Sequence, residues 1–370
     1  MMNLAKNKKI LFVILIFYLI ISMLSIYSVK QSNYSYLTKQ FMWYMVGFII
    51  IFLSRKIKFK GLIKYSLLFY VIGNVLLIFL LLFGTEINGS KCWFVIPKLG
   101  SFQPSEFVKI NIILLNAQIL CSFKNGKIKT FKDNLKIFSL IFLLTLIPAV
   151  LTFLEPDTGV VIIYFFISMV MLYTYGIKKS IFFVLTLLFF ILLGGFLYLY
   201  FKYENTFISI FGTSFFYRMD RLLDWSNNNG MQLSNAMIAI KSAGLFGFGI
   251  KNTPIYIPEA HTDFIFSVVA SNTGLVGAMI LIILILLFDI NLFMMARKTN
   301  DKKYKLIIIG FLSMIIFQQV QNIGMNIGLL PITGITLPFI SYGGSSLLSY
   351  MIAIAIILNY DSSPKQAHSL

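Results

Sequence analysis

Apolar residues in this chain come in long, nearly uninterrupted runs, without the period of a half-buried strand or a one-faced surface helix. Runs suited to crossing about 30 Å of hydrocarbon with roughly 20 helical residues lie at 10–29, 40–53, 62–83, 105–122, 137–154, 158–175, 180–201, 263–290, 305–326 and 343–359. The expectation is an all-α polytopic membrane protein: one domain over residues 1–370 with about ten transmembrane helices and a large outer loop, 202–262, between helices 7 and 8. The second, fifth, sixth and tenth runs are short, and the fifth and sixth nearly touch through Glu155-Pro156-Asp157. The first run follows Lys6, Lys8 and Lys9, is longer than the roughly 7–15 residue core of a cleaved signal peptide and lacks an Ala-x-Ala site, so it is expected to remain as a span.

Composition agrees: 58% of residues are hydrophobic and 12% charged, with mean hydropathy +0.86. A water-soluble fold is excluded. The formal charge of +18 would point to nucleic acid in a soluble protein, but the Lys and Arg residues lie mostly between apolar runs. With the N-terminus in the cytoplasm, basic loops 55–64, 124–136, 178–179 and 297–305 share one side with both termini, and that side holds the larger share of the 31 Lys and Arg. This is the asymmetry of the positive-inside rule, and no nucleic acid is needed to explain it. Cys92 and Cys121 fall near opposite ends of one span, beyond the roughly 4.4–6.8 Å Cα separation of a disulfide.

Three outer segments, 84–109, 202–263 and 327–346, carry charge, Gly and Pro that a plain hairpin would not need. The middle one is the only long loop, and its stretch 215–225 reads as an interfacial amphipathic helix, with Arg218, Asp220, Arg221 and Asp224 off its apolar side. Glu106 and Lys109 share a helix face and can pair, either as a structural lock or as part of a site; Pro104 or Ser105 opens their helix. Asp157 stands where a helix cap belongs. Asp263, preceded by Glu259 and His261 and followed by Phe264-Ile265-Phe266, suits a cap or a general base. Arg218, Arg221, Lys91 and Lys251 are outer cations able to meet phosphate. The last segment, rich in Pro and Gly, cannot be regular helix, so it must be buried or line a cavity. A carboxylate, several cations and irregular backbone around one groove suit a lipid-linked anionic substrate.

At this point a resemblance is apparent. Pro338 to Ser346, PFISYGGSS, with GLLPITGITLP before it, resembles the signature of the SEDS family of bacterial cell-wall glycan polymerases, the group of FtsW, RodA and SpoVE. It recurs in Gln103-Pro104-Ser105-Glu106 with Lys109, in Pro156-Asp157-x-Gly159, in Tyr217-Arg218 with Arg221, in Gly230-Met231-Gln232 and in Pro258-Glu259-Ala260-His261-Thr262-Asp263-Phe264. The resemblance implies ten spans, both termini cytoplasmic, in a bacterial cytoplasmic membrane. It implies a peptidoglycan glycosyltransferase joining lipid II, an undecaprenyl-pyrophosphate-linked disaccharide-pentapeptide, into glycan strands, with Asp263 catalytic. Substrate contacts would come from Glu106, Lys109, Arg218, Arg221, Lys91, Trp93, Gln232, His261, Ser341 and Ser345. A divalent cation, Mg2+ or Mn2+, would support activity, and a class B penicillin-binding protein would be the partner alongside membrane lipids.

The sequence departs from the family pattern at Ser271-Asn272, where glutamates are frequent, at Cys92 between Lys91 and Trp93, and at Val160. One or two charges are thereby missing near the expected groove. A lipid carrier and a non-catalytic scaffold for a penicillin-binding protein are the other readings. A carrier needs polar groups through the bilayer midplane, and spans one, seven, nine and most of eight are expected to offer few there. Polar residues gather at the outer rim, which favours the enzyme.

Overall fold

The computed structural model describes residues 2–29, 34–57, 59–87, 90–96, 100–123, 130–213 and 231–360. A helix stands over every apolar run. In chain order these are α1 (Met2–Ser28), α2 (Tyr34–Leu53), α3 (Phe59–Leu62), α4 (Ser66–Phe83), α5 (Pro104–Ser122), α6 (Phe131–Leu154), α7 (Thr158–Tyr175), α8 (Lys179–Lys202), α9 (Glu204–Phe211), α10 (Met231–Ser242), α11 (Ile265–Lys298), α12 (Lys302–Asn326) and α13 (Gly344–Asn359). Among the described residues seven of them are long and apolar enough to cross a membrane. In α1, Leu11, Ile14, Leu15 and Tyr18 are buried while Phe12, Val13, Ile16 and Phe17 lie exposed on the outer surface of the bundle. A helix apolar all round belongs in lipid, packed on one side and solvated by acyl chains on the other.

Two helices outrun their apolar signal because inward polar groups find partners. α2 begins at Tyr34 rather than near residue 40, and Gln40, fully buried, lies well inside it. α11 continues past residue 290 to Lys298: Gln319 Nε2 donates to Asp289 Oδ1 at 3.3 Å, and Asn291 Nδ2 donates to the Asn7 carbonyl at 2.8 Å. Local signals hold at the ends. Pro104 opens α5, Thr130 and Asp133 form a capping box on α6, and Asp157 caps α7.

The hydropathy pattern did not reveal a small antiparallel sheet in the segment before α5: β1 (Thr85–Ile87), β2 (Ser90–Ile96) and β3 (Gly100–Phe102), in the order β1-β2-β3. Thr85 pairs with Trp93, and Phe94 with Phe102. The region 202–262 likewise contains α9 and α10. The stretch 215–225 lies outside the described residues.

α11 is broken at Gly274, whose φ of 66° and ψ of −164° are not helical. The break is filled by the backbone after α10. Phe248 and Gly249 N–H groups donate to the Ser271 and Asn272 carbonyls, and Leu275 and Val276 N–H groups donate to the Gly244 and Leu245 carbonyls, all at 2.9–3.1 Å. Four peptide groups beside the kink thus regain a partner, as backbone at membrane depth requires. A Cβ at Gly274 would sit 2.4 Å from the Leu245 backbone, and one at Gly247 2.4 Å from that of Asn272, so only glycine permits the interlock.

α12 corrects one expectation. Its N-terminal half is largely apolar, but Gln318, Gln319, Gln321, Asn322 and Asn326 crowd its C-terminal half, all buried.

Candidate active site

Asp263 sits in the turn just before α11, not inside the helix, and α11's N-cap position, Phe264, has no side-chain cap. The helix-cap role is therefore not the one Asp263 performs. Its main-chain carbonyl is gripped by two amides from α12: Asn322 Nδ2 at 2.8 Å and Asn326 Nδ2 at 2.9 Å. Asn322 also donates to the Ile335 carbonyl at 2.8 Å, tying the turn to the segment before α13. Asn326 Oδ1 accepts from the Ser267 N–H at 3.0 Å and from the Ser267 hydroxyl. It thereby satisfies one of the orphan N–H groups of α11's first turn from another helix. The Asp263 side chain lies over Gly334, where a Cβ would come within 3.5 Å of Oδ2.

Glu259, with φ of 50°, starts this turn. Its carbonyl accepts the Thr262 and Phe264 N–H groups, and its carboxylate accepts the Thr262 hydroxyl at 3.3 Å. Burial first, then the charges of Glu259 and Asp157, push the Asp263 carboxyl up to about 8. Desolvation disfavours the ionised form and like charges add to it, so Asp263 is poised to exchange a proton near neutral pH.

Asp157 approaches from the other side. Its Oδ1 accepts the Val160 N–H at 3.2 Å, and its Oδ2 accepts Gln103 Nε2 at 2.9 Å. Gly159 lets α7 press against the segment before α13, because a Cβ there would sit 3.1 Å from the Thr333 carbonyl. That is the physical sense of the Pro156-Asp157-x-Gly159 spacing. Burial raises Asp157 to about 6, the Val160 N–H opposes this, and Glu106 and Lys109 act in opposite directions. Glu106 and Lys109 form the anticipated pair, Nζ to Oε2 2.7 Å, with Lys109 Nζ also 5.6 Å from the centre of the Tyr350 ring. Lys109 has no exposed surface, so contact with a substrate requires this wall to open. Glu155, fully buried and with neither carboxyl oxygen hydrogen-bonded, is pushed to about 8 by burial and then by Asp157.

The segment before α13 is non-helical, and side chains clasp its backbone between Leu337 and Gly343. Ser341 Oγ donates to the Thr262 carbonyl at 2.6 Å and accepts the Leu337 N–H at 2.8 Å. Ser22 and Tyr44 donate to the carbonyls of Ile340 and Phe339, and Gln40 spans the Ser341 carbonyl and the Gly343 N–H. Phe339 is left-handed, φ 66°. Ser345 Oγ accepts the Gln103 N–H at 3.0 Å and donates to the Ser101 carbonyl at 3.2 Å. Ser341 and Ser345, expected as substrate contacts, spend their hydroxyls on the backbone in this structure, fastening the Asp263 turn and α5 to this segment.

His261 stacks on Tyr36 with centroids 4.6 Å apart, and its carbonyl accepts the Tyr342 N–H at 2.8 Å. Burial lowers its pKa, with Glu259 opposing, so a neutral ring braces the turn. Lys91 is exposed and Trp93 half-buried on β2, and Gln232 is half-buried at the start of α10. Between Lys91 and Trp93, Cys92 is buried and donates Sγ–H to the Glu155 carbonyl at 3.0 Å; Cys92 and Cys121 are not joined in a disulfide. Lys251 lies 3.9 Å from the Tyr27 ring centre. Arg218 and Arg221 lie outside the described residues. Asn322, Asn326 and Gln40 were not legible as site residues in the sequence. The available signal was a cluster of amides in an otherwise apolar span, where each buried amide needs partners.

These features define a polytopic membrane protein in which the turn carrying Asp263 is held at one end of the bundle by amides from α12. A family model described as "Cell cycle protein", that of FtsW, RodA and SpoVE, matches residues 3–366, and the chain belongs to this family. It is 34% identical over 344 residues to a probable peptidoglycan glycosyltransferase FtsW of Hydrogenovibrio crunogenus, covering 90% of this chain and 83% of that protein. The corresponding FtsW of Bacillus subtilis is 32% identical over 340 residues, covering 89% and 81%. Among solved structures, one described as showing structural coordination of polymerization and crosslinking by a peptidoglycan synthase complex aligns with TM-score 0.78 and 26% identity, covering 94% of this chain and 96% of that one. The rod shape determining protein RodA of Thermus thermophilus aligns with TM-score 0.67 at 26% identity, covering 94% of each chain.

Proposed function

We propose that this chain is a peptidoglycan glycosyltransferase that polymerises lipid II, with its active site around Asp263 on the outer face of a bacterial cytoplasmic membrane. In this reading the chain crosses the membrane ten times and both termini are cytoplasmic. The observation that carries the proposal is Asp263: a carboxyl group raised toward neutrality, partly accessible, and fixed by its own carbonyl to α12. Ionised, Asp263 takes the proton of an acceptor sugar hydroxyl. The hydroxyl oxygen forms the new bond to the anomeric carbon of a second lipid-linked sugar, and the bond from that carbon to pyrophosphate breaks. Lys91, with Arg218 and Arg221, neutralises the departing pyrophosphate, an electrostatic task suited to cations in a water-poor site. Glu106 and Lys109 hold the field around Asp157.

Among the described residues no three of His, Cys, Asp and Glu gather as a metal-ligand set; a divalent cation in this reading would be held by one or two carboxylates together with the substrate's phosphates and would supply further charge neutralisation there. The partner in this reading is a class B penicillin-binding protein, supported by the likeness to a synthase complex.

The test is purified protein in detergent given lipid II, with and without Mg2+ or Mn2+. Wild-type protein should make glycan strands, and Asp263→Asn should make about 100-fold fewer or less. Strands from both at equal rates would remove Asp263 from the chemistry; lipid scrambling in vesicles without strands would favour the carrier.

A further inference from the structure

At the end of the bundle that carries the basic loops, α1, the end of α2 and the end of α13 enclose a recess of about 530 Å³. Its rim is cationic: Lys8 and Lys9 from the first turns of α1, and Arg55 from the turn after α2. Its wall, about one turn deeper, is apolar and includes Phe12, Val13 and Leu358. Phe12 and Val13 are 40% and 50% exposed, so the recess opens sideways toward the surrounding lipid. Its floor is stapled by Asn359, whose Nδ2 donates to the Ile51 carbonyl and to Ser54 Oγ, and Lys8 Nζ donates to the Leu358 carbonyl across it.

Lys9 and Arg55 have no carboxylate partner among the described residues; Arg55 rests over the Phe52 ring, 5.1 Å from its centre. Loops on this side are basic throughout, but a solvated loop needs neither a concave wall nor aliphatic side chains beneath its cations. Two unpaired cations above an apolar wall, at the depth where the spans begin, match a phosphodiester head group whose acyl chains continue down the helices. A free phosphate ion would leave that wall unused.

We infer that this recess is a binding site for an anionic phospholipid of the adjoining leaflet, held by Lys9 and Arg55 at its phosphate and by the α1 and α13 side chains along its chains. That this is the cytoplasmic leaflet rests on the orientation proposed above; the binding itself does not.

The test is native mass spectrometry of the full chain, delipidated in detergent and titrated with phosphatidylglycerol or phosphatidylcholine. Phosphatidylglycerol should be retained at least about tenfold better, and the paired change Lys9→Gln with Arg55→Gln should abolish the preference. Lys9→Arg with Arg55→Lys should keep it, as should Lys136→Gln, which removes a cation elsewhere on the same side. A thermal melt matching wild type certifies that the Gln pair is folded. The inference fails if Lys136→Gln weakens retention as much as the recess pair, since diffuse charge would then suffice. It fails equally if the pair leaves the preference intact, or if inorganic phosphate at equal concentration displaces the lipid.

Discussion

Asn326→Ala should separate the shaping of the Asp263 turn from its chemistry. The alanine removes the donor to the Asp263 carbonyl at 2.9 Å and the acceptor of the Ser267 N–H at 3.0 Å. Leaving that buried N–H unpaired costs roughly 1–3 kcal/mol, and losing one net hydrogen bond at the carbonyl about 1 kcal/mol more. The sum, about 2–4 kcal/mol, falls on the turn that aims Asp263, while Asn322 still holds its second donor at 2.8 Å. The turn should stay folded but lose its fixed direction. Misplacing a reacting group by about 1 Å costs on the order of 100-fold, so kcat for strand synthesis should fall about 10- to 100-fold with KM nearly unchanged. Asn326→Asp is the sharper partner: it keeps the acceptor for Ser267 but sets an oxygen against the Asp263 and Asn322 carbonyls. Steady-state kinetics with lipid II, beside a detergent melt, reads both. Wild-type kcat in a folded Asn326→Ala protein would refute the idea that α12 aims the carboxyl.

Other outcomes follow from the same site. Because burial raises Asp263 to about 8 and a general base works ionised, polymerisation should climb as pH rises through that range, and Asp263→Asn should erase the limb; a flat wild-type profile from pH 6 to 9 would contradict it. The folded carboxyl holds its proton to higher pH than the unfolded one, so its contribution to stability is fully present at low pH and is lost between about 4 and about 8; thermal melts should show Asp263→Asn gaining on wild type as pH rises. Glu259→Gln removes the larger of the two negative neighbours raising Asp263, so the limb should move to lower pH, and an upward move would invert the electrostatics. Gly274→Ala should destabilise the fold by about 2–4 kcal/mol, through a strained positive φ and a backbone clash, seen as a lowered melting temperature; an unchanged melt would mean that the break in α11 can rearrange.

How far the sequence spoke depended on whether a residue's job was collective or pairwise. The apolar runs are collective, and helices stand over all of them, because lipid leaves a backbone few alternatives to internal pairing. Asp157 as a cap and Glu106 with Lys109 were legible because both rest on spacing along a single helix. The backbone bonds of Ser341 and Ser345 were not legible because their partners, the Thr262 carbonyl and the Gln103 N–H, come from segments distant in sequence. Asn326 escaped for the same reason, 63 positions from the carbonyl it holds. The strands before α5 escaped because β1 and β3 have three residues each, too few for alternation to stand out.

The same distinction decides what the departures at Ser271 and Asn272 mean. Both are buried, and they sit not at the mouth of the site but in the break of α11, where their carbonyls accept Phe248 and Gly249 and Asn272 Oδ1 accepts the Thr253 hydroxyl at 3.2 Å. Counted from the start of α11, Ser271 is about 9 Å farther along the helix axis. The charges that raise Asp263 are those of Glu259 and Asp157, and both are present. Neutral residues at 271 and 272 therefore leave the field at Asp263 to its own neighbours, while sparing the interlock two buried carboxylates that would need partners where Ser271 Oγ and Asn272 Nδ2 have none. What these positions alter is the joint between α11 and the backbone after α10, so the consequence of restoring glutamates there should appear in stability before it appears in the pH dependence of the reaction.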